Sequence, residues 1–387
     1  MGESMENALY RQTGRQADRQ TGRQADRQTG RQADRQTGRQ ADRQTERSSP
    51  IELLRIFAGM SVVILHFNFG GVGAVENTSG ITQHILLLFE AICNCAVNVF
   101  LLISGYCSAY SRKINVSRLL QLIIQTSIFS LLFRIVASMI NDNWSLKIFA
   151  SLLPVNYYVI LYVTLMLVAP FINIALGRLS RESLKLFLII SVMAFSIYPT
   201  AVDVLEECTG KQFMGLNSVS VNGSIAGYSI INFILIYVIG AAIRLFDLIG
   251  HIQKKGLLAL WVVSVSGIYV WHLFLPKTGY IYCNPLVVLE ATATFLLIAG
   301  LNFKSRTVNY IAPAAFTCYL IHTSVLKIVG KHIVASSSSI RMLFMLFSMV
   351  VGVYLLSFAM MKLWYWWVKP LYRISLDKIP VVRVREV

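Results

Sequence analysis

The sequence predicts an all-α polytopic membrane protein with about ten transmembrane helices and both termini cytoplasmic. Three observations lead there. Of 387 residues, 55% are hydrophobic and only 14% charged, with a mean hydropathy of +0.59; a soluble globular chain carries about 25% charged residues. The apolar residues gather into runs of about twenty, the length that crosses a hydrocarbon core. The cations fall in short segments between those runs and recur on alternate sides, as bilayer orientation requires. The same placement excludes the reading that a net charge of +16 invites. Basic residues scattered through loops and tails make no nucleic-acid face.

The chain divides into a basic tail (1–50), a membrane domain (51–368) and a C-terminal cytoplasmic tail (369–387). In the first part, RQTGRQAD occurs four times in succession from Arg11 to Asp42. The repeat has no apolar periodicity and nothing to bury, so disorder is expected. It has no apolar h-region and does not read as a signal peptide. The eight-nucleotide unit CAGACAGG, read three times through, encodes this same eight-residue repeat in another register. Eight is not a multiple of three, so gain or loss of one unit shifts the frame downstream, as in an expression switch by replication slippage. A dispensable basic tail holding the N-terminus inside is the simpler alternative.

The expected spans are 51–69, 84–110, 116–139, 155–177, 184–201, 228–248, 256–273, 281–300, 308–331 and 340–368. Inner loops then hold Arg112, Lys113 and Arg118; Arg178, Arg181 and Lys185; Arg244, Lys254 and Lys255; and Lys304 and Arg306. Outer loops are nearly free of cations. The exception follows the ninth span, with Lys327, Lys331 and Arg341. Six cysteines show no ligand spacing, so no metal is expected. Cys208 and Cys283 alone fall on the outer side, where a disulfide or two free thiols both remain open.

The first span, IELLRIFAGMSVVILHFNF, carries Arg55 and His66 with Glu52 one turn earlier. Ionisable groups inside a span are costly and mark function by default. Eleven residues at 1.5 Å rise separate the two by about 16 Å along one helix. Arg55 belongs near the cytoplasmic face, where its guanidinium can grip phosphate oxygens, or simply snorkel. His66 lies past the midplane, where an imidazole can serve as a general base or as helix–helix hydrogen-bonding glue. In the second span Glu90, Asn94 and Asn98 form one polar stripe at i, i+4, i+8. Level-matching the antiparallel helices puts Glu90 beside His66 as an orienting partner. Arg134 and His272 sit near outer ends, where they meet an acceptor or lipid headgroups. The run LWYWW (Leu363–Trp367) reads as an interfacial anchor.

Arg55, ten intervening residues and His66 resemble the signature of the membrane acyltransferase-3 family. NVFLLISGY (Asn98–Tyr106) is similar to its SG motif, with Leu101 where an aromatic stands. Asn156–Asn173, Ile231–Arg244 and Phe316–His322 resemble further family segments in family order. The resemblance implies a multi-pass, membrane-bound O-acyltransferase of a bacterial inner membrane. The implied co-substrate is a cytoplasmic acyl-CoA, acetyl-CoA being the expected donor. The implied acceptor is a hydroxyl of a surface polysaccharide or lipid-linked sugar. On this basis His66 and Glu90 are the expected catalytic pair. Arg55, Arg244, Ser104 and Gly105 are expected to receive the coenzyme, and Tyr157, Tyr158 and His322 to meet substrate. A transporter or flippase of a sugar or lipid is the alternative class; such proteins commonly show internal repeats, and no repeated half is visible here.

Overall fold

The computed structural model describes residues 48–141, 156–213, 216–218, 227–330, 339–376 and 378–384. The repeat tail, Lys331 and part of the 202–227 loop lie outside the described residues. From Ser49 onward the chain forms one compact unit. It is almost entirely helical.

Helix α1 (Ser49–Asn68) is followed by α2 (Gly80–Cys93) and α3 (Ala96–Ser108). Then come α4 (Val116–Ile140), α5 (Tyr157–Arg178), and α6 (Arg181–Val192), which a π-turn at Met193–Ile197 joins to α7 (Tyr198–Thr209). Next are α8 (Ile230–Leu245), α9 (Lys254–Phe274) and α10 (Pro285–Ala299). The chain ends with a short α11 (Arg306–Ile311), then α12 (Ala314–Gly330), α13 (Ser339–Leu363), a second π-turn at Trp364–Val368, and α14 (Lys369–Leu376). Side-chain oxygens cap the starts that the sequence marks. Asn115, Asn156, Ser180, Ser229, Asn284 and Ser305 each accept from a backbone N–H two or three residues on.

Among the described residues, seven helical segments are long and apolar enough to cross a membrane, and α8, α10 and α12 are shorter apolar helices. Their positions follow the expected spans, with two differences. The second span is not one helix. It breaks at Asn94–Cys95, where Asn94 Nδ2 donates to the Tyr280 carbonyl (3.2 Å) and Asn98 Nδ2 to that of Tyr282 (2.9 Å). These amides trade helix continuity for bonds to the non-helical segment before α10, which needs partners inside a bilayer; each is worth about 0.6 kcal/mol there. The ninth span likewise begins with α11 and turns at Ala312-Pro313 before α12.

α1, α3, α8, α10 and α12 pack centrally, with α3 against α8 the most extensive contact. That crossing is close because glycines face backbone. A Cβ built on Gly105 would lie 2.0 Å from the Tyr237 carbonyl oxygen, and one on Gly240 2.4 Å from that of Leu102. Small residues let membrane helices approach where no hydrophobic effect drives them together. The peripheral helices instead expose Ile189, Val263, Phe344 and Leu355, a surface for lipid tails rather than water.

Glu207, at the end of α7, ties that helix to the segment before α10. Its carboxylate accepts from the backbone N–H groups of Lys277 (2.9 Å) and Thr278 (3.1 Å). This is the tether that a Cys208–Cys283 bridge would have made; both thiols are free, Cys208 exposed and Cys283 buried. The segment set apart as a C-terminal tail carries α14 and a strand. β2 (Val382–Arg383) pairs antiparallel with β1 (Lys113–Ile114), Lys113 opposite Arg383.

Candidate functional site

The site is organised along α1 and has two ends. At the Arg55 end a cavity of about 430 Å³ is lined by Arg55, Ser104, Cys107, Arg118, Tyr158 and Tyr162, with Phe316 closing one wall. Glu52, buried on the same face of α1 one turn earlier, pairs with Arg55 Nη1 at 2.5 Å. One edge of the guanidinium is thereby fixed while the side chain still faces the cavity. Ser104 Oγ donates to the Phe100 carbonyl (2.9 Å) and lies 3.4 Å from the Tyr162 hydroxyl. The thiol of Cys107 interacts with Arg55 and feels the charges of Glu52 and Arg244. Arg244 itself does not line the cavity. Its Nη1 donates to the Tyr106 hydroxyl (2.8 Å), with the guanidinium 5.0 Å from that ring's centre. The second cation in the cavity wall is Arg118, which in the sequence counted only as an orienting loop charge.

Gly105 and Ser104 are neighbours with different environments. Ser104 lines the cavity, whereas Gly105 is occupied by the α3–α8 crossing and offers no opening there. Tyr158, expected to meet substrate, is buried. The first turn of α5 packs inward, and its ring meets Tyr319 (4.6 Å), Phe233 (5.3 Å) and Tyr162 (5.9 Å). Tyr157 donates instead to the Tyr228 carbonyl (2.9 Å). Tyr319 in turn lies 5.6 Å from His322, so aromatic rings run without a gap from the Arg55 cavity to the histidines.

At the other end, the ring of His66 lies 4.8 Å from that of His322, tilted by 48°. His322 is buried in α12, and its Nδ1 is 3.1 Å from the Cys318 carbonyl oxygen. A carbonyl can only accept, so in the neutral ring Nδ1 carries the proton and Nε2 keeps the lone pair. That buried Nε2 has no partner. An orphan acceptor in a membrane interior is costly, and it is the position a substrate hydroxyl would satisfy.

Glu90 is elsewhere. Buried in α2, it accepts from Asn68 Nδ2 at 2.9 Å, and the same amide nitrogen donates to the Leu86 carbonyl (3.0 Å). Residues 66 and 68 differ by about 200° around a helix, so His66 faces α12 while Asn68 faces α2. Level-matching finds the right height on α1 and the wrong side of it. Asn68, unmarked in the sequence reading, is the residue that brings Glu90 to α1.

Just beyond the histidines the chain turns at Gly70–Val72, with Gly71 N and Val72 N donating to the His66 carbonyl (3.0 and 3.3 Å). A Cβ on Gly71 would fall 2.2 Å from that oxygen, so the turn requires glycine. This turn forms one wall of a second cavity, of about 880 Å³, between α4 and α12.

A bundle with lipid-facing apolar surfaces and ionisable groups gathered around one central helix defines a multi-pass membrane protein with an intramembrane site. The family model described as an acyltransferase domain matches residues 50–362. The chain belongs to the acyltransferase-3 family, whose chemistry is acyl transfer. No curated protein and no solved structure matches the chain.

Proposed function

We propose that the protein is a membrane-bound O-acetyltransferase that takes the acetyl group from cytoplasmic acetyl-CoA. The proposed acceptor is a hydroxyl of a surface polysaccharide or lipid-linked sugar on the opposite face of a bacterial inner membrane. In this reading all ten apolar helical segments cross, and both termini are cytoplasmic. The single observation that carries it is the division of α1, with a cation-lined cavity at the Arg55 end and the His66–His322 pair at the other.

Arg55 and Arg118 grip the coenzyme's phosphates, which suit a bidentate guanidinium. Its long thioester arm follows the Tyr158–Tyr319 wall toward the histidines, with Ser104 lining its entrance. Arg244 contributes charge near Cys107 rather than a direct grip. A histidine base takes the hydroxyl proton as the sugar oxygen attacks the thioester carbonyl; the C–S bond breaks and the coenzyme thiolate takes up a proton. His66 serves as that base or as a transient acyl carrier, and the Nε2 of His322 accepts a hydrogen bond from a second hydroxyl of the sugar and so orients it. Glu90 acts through Asn68 on the last turn of α1, a positioning role. The N-terminal repeat makes expression phase-variable; codons in the gene that do not preserve the eight-nucleotide unit would exclude this.

The deciding experiment is transfer of radiolabelled acetyl from acetyl-CoA by membranes containing the protein, with O-acetyl analysis of surface polysaccharide with and without the gene. Sugar movement without label transfer would establish a transporter instead.

A narrower test concerns the donor end. Arg55→Lys keeps the charge but loses the fork, so the KM for acetyl-CoA is expected to rise roughly tenfold with a smaller change in kcat. An unchanged KM with lower protein abundance would make Arg55 a structural residue paired to Glu52.

A further inference from the structure

We propose that the cavity beside His66 is an anion subsite for the acyl acceptor, so that the acceptor is an acidic glycan. Its charge is a sugar carboxylate or a phosphate, the latter including a polyprenyl-phosphate link. This inference rests on the acyl-transfer reading for the word acceptor, but on its own observations for the charge.

The cavity holds about 880 Å³, room for more than one sugar ring, and its wall includes Arg134 of α4 and Lys327 of α12. None of the described residues that line it is an aspartate or glutamate. Among the described residues neither cation forms an ion pair or hydrogen bond. Both residues are exposed, and two cations facing one space repel each other, a repulsion that an anion between them relieves. An anion supplied from outside the chain would satisfy both.

Snorkelling toward headgroups is the ordinary explanation for a single arginine or lysine near a helix end. It does not explain why two such residues, from the neighbouring helices α4 and α12, converge on one concavity. Nor does it explain the rest of the wall, where Ser130 and Ser324 offer hydroxyls suited to a sugar. Lys327 also breaks the charge rule that the other connections follow.

The subsite adjoins the proposed chemistry. Lys327 follows His322 by five residues on α12, about 7.5 Å along the axis, and its charge is felt at His66. Gly71, whose N–H holds the His66 carbonyl, lines the same cavity. The imidazoles do not line this cavity; an acceptor anchored by its anion at Arg134 and Lys327 would extend a neighbouring hydroxyl past the Gly71 turn to reach them. Arg134 and Lys327 become specificity-determining residues.

The test is equilibrium binding to the full-length protein in phosphatidylcholine nanodiscs, without acyl donor. The probes are an oligogalacturonate, a neutral malto-oligosaccharide of equal length, and a polyprenyl-phosphate-linked glucose. Discs containing phosphatidylglycerol form a fourth arm. We expect one of the two anionic sugars to bind about tenfold or more tightly than the neutral one. Arg134→Gln and Lys327→Gln should each weaken that binding by about tenfold, the scale of a charge-assisted contact, and added salt should weaken it further. Which anionic sugar responds tells carboxylate from phosphate.

Equal binding of charged and neutral sugars overturns the inference, as does an affinity unmoved by either substitution. Competition by phosphatidylglycerol alone also overturns it, since the cavity would then be a lipid-headgroup site. With no donor present, a negative result here leaves acyl transfer standing. A failure of label transfer in the separate assay leaves these binding curves readable.

Discussion

His66→Ala is expected to abolish acyl transfer while the protein still inserts and accumulates. Loss of a positioned general base costs roughly 10²- to 10⁴-fold in rate, and loss of an acyl carrier costs more. The imidazole is half-buried in the last turn of α1, against the His322 ring and within the field of Lys327. Removing it leaves the apolar run that drives insertion untouched. His66→Gln, which keeps polarity and approximate size but cannot take up a proton, should be as inactive as the alanine variant. Acetyl transfer per inserted molecule is the measurement. Activity within about threefold of wild type would remove His66 from the mechanism and shift attention to the orphan Nε2 of His322.

The second large effect is structural. Gly105→Leu should prevent accumulation of folded protein, and Gly105→Ala should already lower the melting temperature. The new Cβ would meet the Tyr237 carbonyl oxygen at 2.0 Å and the Ala241 nitrogen at 3.0 Å. Both are backbone atoms of α8, so no side chain can swing aside and the helices must separate. Overpacking costs about 1–3 kcal/mol where a core can yield, and more is expected where the obstacle is a helix backbone. Thermal stability in detergent is the readout for the alanine variant. A stable Gly105→Ala protein with a raised KM for acetyl-CoA would return Gly105 to the donor site.

Much of this was legible in the sequence, because the membrane simplifies the code. Span positions follow from length and hydropathy, and the placing of Arg55 and His66 toward opposite ends of α1 follows from a fixed rise per residue. What sequence could not supply was azimuth and depth. Glu90 and His66 share a level, yet Asn68 rather than His66 turns toward α2. Tyr158 has the composition of a belt residue, but α5 enters the core at its first turn and buries the ring against Tyr319. Arg118 looked like one more inner-loop cation until α4 carried it into the wall with Arg55. The break at Asn94 had a signal, an amide stripe in an apolar run, but its partners at Tyr280 and Tyr282 lie almost two hundred residues away. Lys327 was visible as an exception without a reason, and the cavity beside His66 gives it one.

The smallest feature of the fold bears on the topology. Two strands cannot hydrogen-bond through a bilayer, so Lys113–Ile114 and Val382–Arg383 lie on one side of it. The chain between them must therefore cross an even number of times. Among the described residues that interval holds five long apolar segments, beginning at Val116, Tyr157, Arg181, Lys254 and Ser339, and the three shorter helices α8, α10 and α12. Five crossings are odd and would leave the ladder split across the membrane. Counted over the described residues, and with all five long segments crossing, an odd number of the shorter helices crosses as well. With α1 and the α2–α3 pair before it, that parity makes the total even and returns Ser49 to the same side as the ladder. A four-residue pairing thus constrains topology independently of the charges in the loops.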